Sequence, residues 1–152
     1  MRRLFLFLLV GIFFSGCSSF TIGGEPLPQQ REHQQVRQSL DALISAYRDQ
    51  NIFRFSELVS EDYDNGKGDL EIRVQRDFSA YMDRDIRYTL NNMTSDGQGK
   101  VFVSISFQRT VVERFSSWRI NTSGEASFIF IKEEGQYRLL TQHRPLFGIA
   151  SE

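Results

Sequence analysis

The stretch Val101-Phe102-Val103-Ser104-Ile105-Ser106-Phe107-Gln108 decides the fold class of this chain. Its apolar residues at odd positions alternate with serine and glutamine, and this period of two predicts a β-strand with one buried and one wetter face. The apolar residues of 86–90 show the same period. Because Asp96-Gly97-Gln98-Gly99 between them is typical of a hairpin connection, we expect two antiparallel neighbours.

Further extended segments follow downstream. Residues 118–120 and 126–131 are predicted strands, and Asn121-Thr122-Ser123-Gly124 between them is either a hairpin turn or a bulge within one long strand. Glu133-Glu134-Gly135 predicts a tight turn. Tyr137 to Gln142 then completes the sheet, since Pro145 excludes a regular continuation of the strand.

The residues before the strands have a helical period instead. Within 31–50 the apolar positions recur every three or four residues and predict a long amphipathic helix. A second, shorter helix is predicted over 52–59. Asp69 is the expected N-cap of a third helix that ends near Asp83. The predicted buried stripes are Val36, Leu40, Leu43, Ile44 and Tyr47 in the first helix and Leu70, Val74, Phe78 and Tyr81 in the third.

Helices followed by a meander of strands predict an α+β domain, in which helices pack on one face of an antiparallel sheet of about four to six strands. In Phe128-Ile129-Phe130-Ile131 apolar residues point to both faces. The second face therefore needs a cover, and a homodimer is our hypothesis for it.

Composition narrows the function classes. The chain has 152 residues and a formal net charge of −1, which does not favour a nucleic-acid binder. Cys17 is the single cysteine, so no disulfide within the chain is expected. With only His33 and His143 as histidines and no His-Glu-x-x-His pairing, we expect no metal site, and we expect no cofactor.

The N-terminus has the layout of an export signal. A positive region at 1–3 precedes an apolar run at 4–14 and the small pair Ser15-Gly16. The run is too short to span a membrane, which needs about 20 apolar residues. We therefore assign residues 1–16 to a signal peptide.

The junction Phe14-Ser15-Gly16-Cys17 resembles the bacterial lipobox, with Phe14 where leucine is usual. The resemblance implies that Cys17 is lipidated, with a diacylglyceryl group and an added acyl chain such as palmitate. Because Ser18 replaces the aspartate of many inner-membrane lipoproteins, it implies an outer-membrane anchor facing the periplasm. Residues 17–30 are then a lipidated cysteine and flexible tether, and residues 31–152 a single domain.

The predicted order of elements resembles the nuclear transport factor 2-like (NTF2-like) fold, a cone-shaped α+β roll shared with ketosteroid isomerases and polyketide cyclases. The residues that carry the resemblance are 46–50, 55–63 and 135–140, within 33–144. Enzymes of this superfamily place acids, tyrosines or histidines inside the cone. The fold hosts enzymes and binding modules alike, so it constrains architecture more than activity.

We searched for polar residues that could face such a cone. His143 shares strand parity with the apolar positions of 137–142, and Asp62 lies in the turn after the second helix, so the two could form a general-base pair. Arg109, Arg114 and Arg119 could form a basic patch, but Glu113 interrupts them, so we interpret them as part of a solvated face of mixed charge. The candidates for lining a ligand pocket are Tyr47, Asp62, Tyr63, Tyr81, Trp118 and His143.

No complete catalytic set appears in these residues. We therefore expect a non-catalytic, membrane-anchored module that binds an envelope protein or a small apolar ligand. An enzyme of the isomerase or cyclase type, using a polar pair in an aromatic pocket, is the first alternative. A structural homo-oligomer of the envelope is the second.

Overall fold

A computed structural model describes residues 27–149 of the chain, so the predicted signal peptide and Cys17 lie outside the described residues. Three helices precede four strands, as predicted. Their bounds are α1 (Pro28–Arg48), α2 (Ile52–Glu57), α3 (Lys67–Ala80), β1 (Tyr81–Ser95), β2 (Lys100–Glu113), β3 (Arg119–Glu133) and β4 (Gln136–His143). None of the helices within 27–149 is long and apolar enough to cross a membrane.

The strands form one antiparallel meander in the order β1-β2-β3-β4. Strand β3 runs through Asn121–Gly124 as one continuous strand, without a turn and without a register shift against β2. Gly124 lies opposite Phe107, and a Cβ at this position would lie 3.5 Å from the Phe107 ring. A methyl group at this position would therefore make an ordinary van der Waals contact with the Phe107 ring.

Helix α1 buries the predicted stripe Val36, Leu40, Leu43, Ile44 and Tyr47. It begins at Pro28 rather than at Arg31, so the last three residues of the predicted tether are helical. Proline suits the first helical position because its fixed φ is already helical and its missing N–H has no partner there in any case.

The predicted boundaries of the third helix were wrong at both ends. Gly66, with φ of +87°, is the N-cap, and Asp69 lies inside the first turn, where its charge favours the helix dipole. The helix ends at Ala80 rather than near Asp83, because Tyr81 already pairs with Glu113 in the sheet. Strand pairing therefore overrides the helical period at this junction.

The two faces of the sheet differ in burial. One face packs on the helices and contributes the core residues Ile86, Val101, Val103, Ile105, Phe107, Ala126, Phe128, Phe130, Tyr137 and Leu139. On the other face, Phe102 is 47 % exposed opposite the half-buried Ile129. The helices of the described chain leave this outer face uncovered.

Candidate functional site

The core of the domain contains an acid that the sequence reasoning missed. Asp77 is fully buried on α3, on the same stripe as Leu70 and Val74. Its carboxylate accepts hydrogen bonds from Tyr47 Oη at 2.7 Å, from the Gly148 amide at 2.7 Å and from the Ile149 amide at 3.0 Å. The sequence signal that could have identified Asp77 is an acidic residue on a helix stripe that is otherwise apolar.

Residues 146–149, the C-terminal segment, fill the space in front of Asp77. After Pro145 the chain folds back, and Leu146 and Phe147 are both fully buried. Gln142 holds the turn, since its amide donates to the Phe147 carbonyl at 3.1 Å and its oxygen accepts from the Leu146 amide at 3.2 Å. Backbone polar groups that enter the core are thus paired, as burial requires.

Phe147 lies at the centre of an aromatic cluster. Its ring centroid is 5.2 Å from that of Tyr47, 5.2 Å from that of Phe55 and 6.3 Å from that of Phe128. These tilted and edge-on arrangements are the favoured ones for aromatic pairs. The C-terminal segment therefore completes the core between the helices and the sheet.

Two arginines are buried beside this cluster. Arg84 is 3 % exposed, donates from Nη1 to the Tyr81 carbonyl at 2.6 Å, and lies 5.1 Å from the Phe78 ring centroid. Arg109 is 8 % exposed and donates from Nη1 to the Leu146 carbonyl at 3.2 Å. The interpretation of Arg109 as part of a solvated face was wrong, because its position on β2 shares the parity of the core residues.

Burial and charge together set the proton affinity of Tyr47. Desolvation raises the pKa of its hydroxyl well above the ordinary range, and the neighbouring Asp77 carboxylate raises it further. The hydroxyl therefore stays protonated and serves as a donor to Asp77. Burial also lowers the pKa of the Arg84 guanidinium.

The three tyrosine candidates have different surroundings. Tyr47 is fully buried among the aromatic rings, and Tyr63 is 6 % exposed. Burial raises the pKa of Tyr63, which lies beside Gln142. Tyr81 is half-buried at the junction of α3 and β1, and burial raises its pKa as well. Tyr47 thus borders the C-terminal segment, Tyr63 lies beside Gln142, and Tyr81 borders Arg84.

Asp62, His143 and Trp118 lie outside this region. Asp62 and His143 are exposed, and no hydrogen bond joins the two side chains in the described chain. The enzyme alternative required these two residues to meet in a closed apolar cavity. Trp118 is 72 % exposed in the turn between β2 and β3.

The described surface has open clefts. One, of about 480 Å³, extends from the end of α1 along β1 and β2. Its charged lining residues are of both signs: Arg48, Asp83, Arg84, Asp85, Arg87 and Arg119. Within residues 27–149 no three His, Cys, Asp or Glu side chains come together as a set that could bind a metal ion.

The geometry has a chemical consequence for Asp77. A general base needs a free lone pair facing a substrate, but two of the groups that bond this carboxylate are backbone amides of the C-terminal segment. The fully buried Phe147 ring packs against the ring of Tyr47, which donates to the same carboxylate. In this arrangement Asp77 holds the C-terminal segment through Gly148 and Ile149.

Comparison with known proteins identifies the fold. Solved structures similar to this chain include an NTF2-like superfamily protein from Salmonella enterica, at 11 % identity and a TM-score of 0.67 over 76 % of this chain and 90 % of that one. A ketosteroid isomerase-like protein from Erwinia carotovora atroseptica has 14 % identity and a TM-score of 0.64 over 73 % of this chain and 92 % of that one. The chain has the NTF2-like fold.

A hexachlorocyclohexane dehydrochlorinase is also similar, at 12 % identity and a TM-score of 0.58, with 74 % of this chain and 86 % of that one covered. Searches against models of protein families and against curated proteins give no match. At these identities the likeness establishes the NTF2-like fold alone, because one fold serves unrelated functions.

Proposed function

We propose that this protein is a lipid-anchored envelope lipoprotein whose NTF2-like domain is a non-catalytic module that binds a protein partner through its outer surface. The closed interior is the observation that supports a non-catalytic role for the domain. The C-terminal segment occupies the core in front of Asp77, and Phe147 is fully buried there. A small apolar ligand would have to displace these residues, so the surface is favoured over the interior.

The anchor is supported by the sequence alone. The layout of residues 1–16 and the lipobox-like junction at Cys17 favour acylation, and two or more acyl chains give stable membrane attachment. Mass spectrometry of the mature N-terminus tests this part. Acylated Cys17 supports the anchor, and an unmodified Cys17 overturns it.

The outer face of the sheet is the surface we favour for the partner. Phe102 is 47 % exposed there, and the outward-facing Gln108 and Thr110 of the same strand line the cleft of about 480 Å³ together with arginines and with Asp83 and Asp85. Aromatic residues and arginine are enriched in protein interfaces.

A photo-crosslinking amino acid at position 102, in the full chain in intact cells, tests this surface. Adducts with a defined second protein at position 102 and none at the exposed position 62 support the proposal. Adducts only between copies of this chain would instead support the homodimer, or the structural oligomer, and equal labelling at both positions would contradict the surface. The homodimer stays a prediction until then.

An enzyme of the isomerase type is the second candidate, favoured by one observation. Asp77 and Tyr47 form a buried acid–hydroxyl pair in the core. This function requires the C-terminal segment to leave the core. It therefore predicts that a small aromatic probe binds in the interior of the wild-type chain. If the probe does not bind the wild type but does bind the Phe147→Gly variant, the result would favour the binding module with a closed interior.

A further inference from the structure

The turn between β2 and β3 exposes two aromatic side chains. We call residues 114–119 the aromatic tip. Phe115 is 94 % exposed and Trp118 is 72 % exposed, and Ile120 beside them is 37 % exposed. Single exposed apolar residues are common on proteins, but here two large aromatic side chains are exposed within one six-residue turn.

The backbone of the aromatic tip is firmly held. The Glu113 amide donates to the Trp118 carbonyl at 2.8 Å, and the Ser117 amide donates to the Glu113 carbonyl at 3.0 Å. Arg114 ties the turn to the end of α3, since its Nε donates to the Ser79 carbonyl at 3.1 Å and its Nη2 to the Phe78 carbonyl at 3.1 Å. The two rings are thus presented outward by an ordered turn.

The aromatic tip and the start of α1 lie at opposite ends of the sheet. Pro28 and Gln29 border Ser95 and Gly97, which belong to the β1–β2 end. From there β2 runs over 14 residues to the tip, a rise of roughly 40 Å. A domain lying with its strands along a bilayer can therefore touch it at both ends.

We propose that the aromatic tip inserts into the headgroup layer of the bilayer that holds the lipidated Cys17, an inference that rests on the proposed anchor. Ten peptide units separate Cys17 from Leu27 and can span at most about 35 Å, so the domain stays close to this surface. Tryptophan and phenylalanine rings suit the interface between headgroups and acyl chains. The exposed Arg119 beside them can pair with lipid phosphates.

The size of the patch favours a lipid surface over a protein. Two aromatic side chains bury roughly 300 to 500 Å² at most. A stable protein interface needs about 800 Å² on each partner. A bilayer requires no matching shape, so a narrow projecting turn is sufficient for it.

The experiment uses Trp118 as a built-in reporter, because it is the only tryptophan of the chain. The acylated full chain is reconstituted into phosphatidylcholine vesicles whose acyl chains are brominated near the headgroup. We expect a blue shift of tryptophan emission and loss of fluorescence relative to unbrominated vesicles. Phe115→Ser should reduce the loss, and phosphatidylglycerol in the vesicles should increase it through Arg119.

A matched control moves the reporter to another exposed aromatic position. Phe53 is 82 % exposed and belongs to α2, a different element from the turn that forms the aromatic tip. In the double variant Phe53→Trp with Trp118→Phe, we expect emission typical of water and no quenching by brominated lipid. Equal quenching at both positions would mean that the domain lies on the membrane without preference and would overturn the proposal.

The possible results distinguish a failure of the tip insertion from a failure of the lipid anchor. Acylated Cys17 together with unquenched Trp118 overturns the tip insertion and leaves the lipid anchor intact. Unmodified Cys17 overturns the anchor, and with it the basis of this inference. Trp118 unquenched in vesicles, but crosslinked in cells from position 115 to a protein, would assign the tip to a protein partner and also overturn the proposal.

Discussion

Phe147 and Phe115 are the same residue type in opposite environments. Phe147 is fully buried under Tyr47 and Phe55, in a segment whose backbone amides are paired with Asp77 and Gln142. Phe115 is 94 % exposed on a turn that is held as firmly by its own hydrogen bonds. Both segments are held by hydrogen bonds, but only the C-terminal segment buries its aromatic ring within the chain. The closed interior therefore accounts for stability, and the aromatic tip is left for an external contact.

The largest expected effect is at the centre of the closed interior. Phe147→Ala should destabilise the domain by about 4 kcal/mol, because it leaves a cavity among the aromatic rings. Urea unfolding followed by circular dichroism measures this loss. Phe53→Ala, at an exposed aromatic position, is the matched control and should stay within about 0.5 kcal/mol of the wild type. Similar losses in both variants would break the contrast between buried and exposed rings.

Removal of the buried acid should come next. Asp77→Ala leaves Tyr47 Oη and the Gly148 and Ile149 amides without their acceptor, which should cost about 3 kcal/mol. The measurement is the same urea transition. Asp62→Ala removes an exposed acid as the control. If Asp77→Ala were as mild as this control, the C-terminal segment would not depend on the carboxylate.

Gly148 tests how tightly the C-terminal segment fits. Its φ is +75°, and an added Cβ would lie 2.8 Å from Arg73 Cβ. Gly148→Ala should therefore cost about 2 kcal/mol from backbone strain and crowding together. Gly135→Ala, at φ of +84° with nothing within 4 Å, isolates the backbone strain and should cost about 1 kcal/mol. Equal costs would mean that Arg73 gives way and the fit is loose.

Alkaline pH should weaken the interior. Burial raises the pKa of Tyr47 in the core. It also raises the pKa of Tyr88, a half-buried β1 residue whose hydroxyl donates to Asp41 at 2.7 Å, from the ordinary value of 10.0 to about 12. Because these pKa values are raised in the folded state, the stabilisation is complete below pH 10 and is lost as pH rises, for Tyr88 up to pH 12.

Tyr47→Phe checks this assignment. It should cost about 1 kcal/mol at neutral pH through the lost hydrogen bond. It should also lose less stability than the wild type when the pH is raised above 10, as urea transitions at several pH values would show. An unchanged alkaline loss in this variant would mean that Tyr47 does not contribute to it.

The smallest effect is expected at the aromatic tip. Phe115→Ser and Trp118→Ser should each change the stability by no more than about 0.5 kcal/mol, since both side chains are largely exposed. The same urea transitions provide the test. A loss comparable to that of Phe147→Ala would show that the rings stabilise the domain and would remove the reason to assign them an external contact.

The fold was predictable because its signals are local. The period of two in 101–108 and the stripe of α1 follow from geometry that each element carries by itself, and both were confirmed. The end of α3 was not predictable in this way. Tyr81 continues the helical stripe, but its pairing with Glu113 places it in the sheet. The competition between helix and strand is decided by a residue that lies 32 positions away in the sequence.

The residues of the candidate site were likewise predictable only in part from the sequence. Asp77, Arg84 and Arg109 are each a charge on an otherwise apolar face, which the sequence displays. Their meeting point in the core depends on the packing of α3 against β1 and on the return of the chain after Pro145. The Asp62 and His143 pair had suitable chemistry, but both side chains are exposed.

The sequence by itself determined the order of the elements and the faces that they bury, because these depend on periodicity, and it is the basis of the proposed export signal and anchor at Cys17. Only the tertiary structure decided that the C-terminal segment closes the core against Asp77 and that Phe115 and Trp118 stay outside. The reason is physical: burial is a property of contacts between distant parts of the chain, and the same aromatic residue favours the core or the surface according to the neighbours that the fold provides.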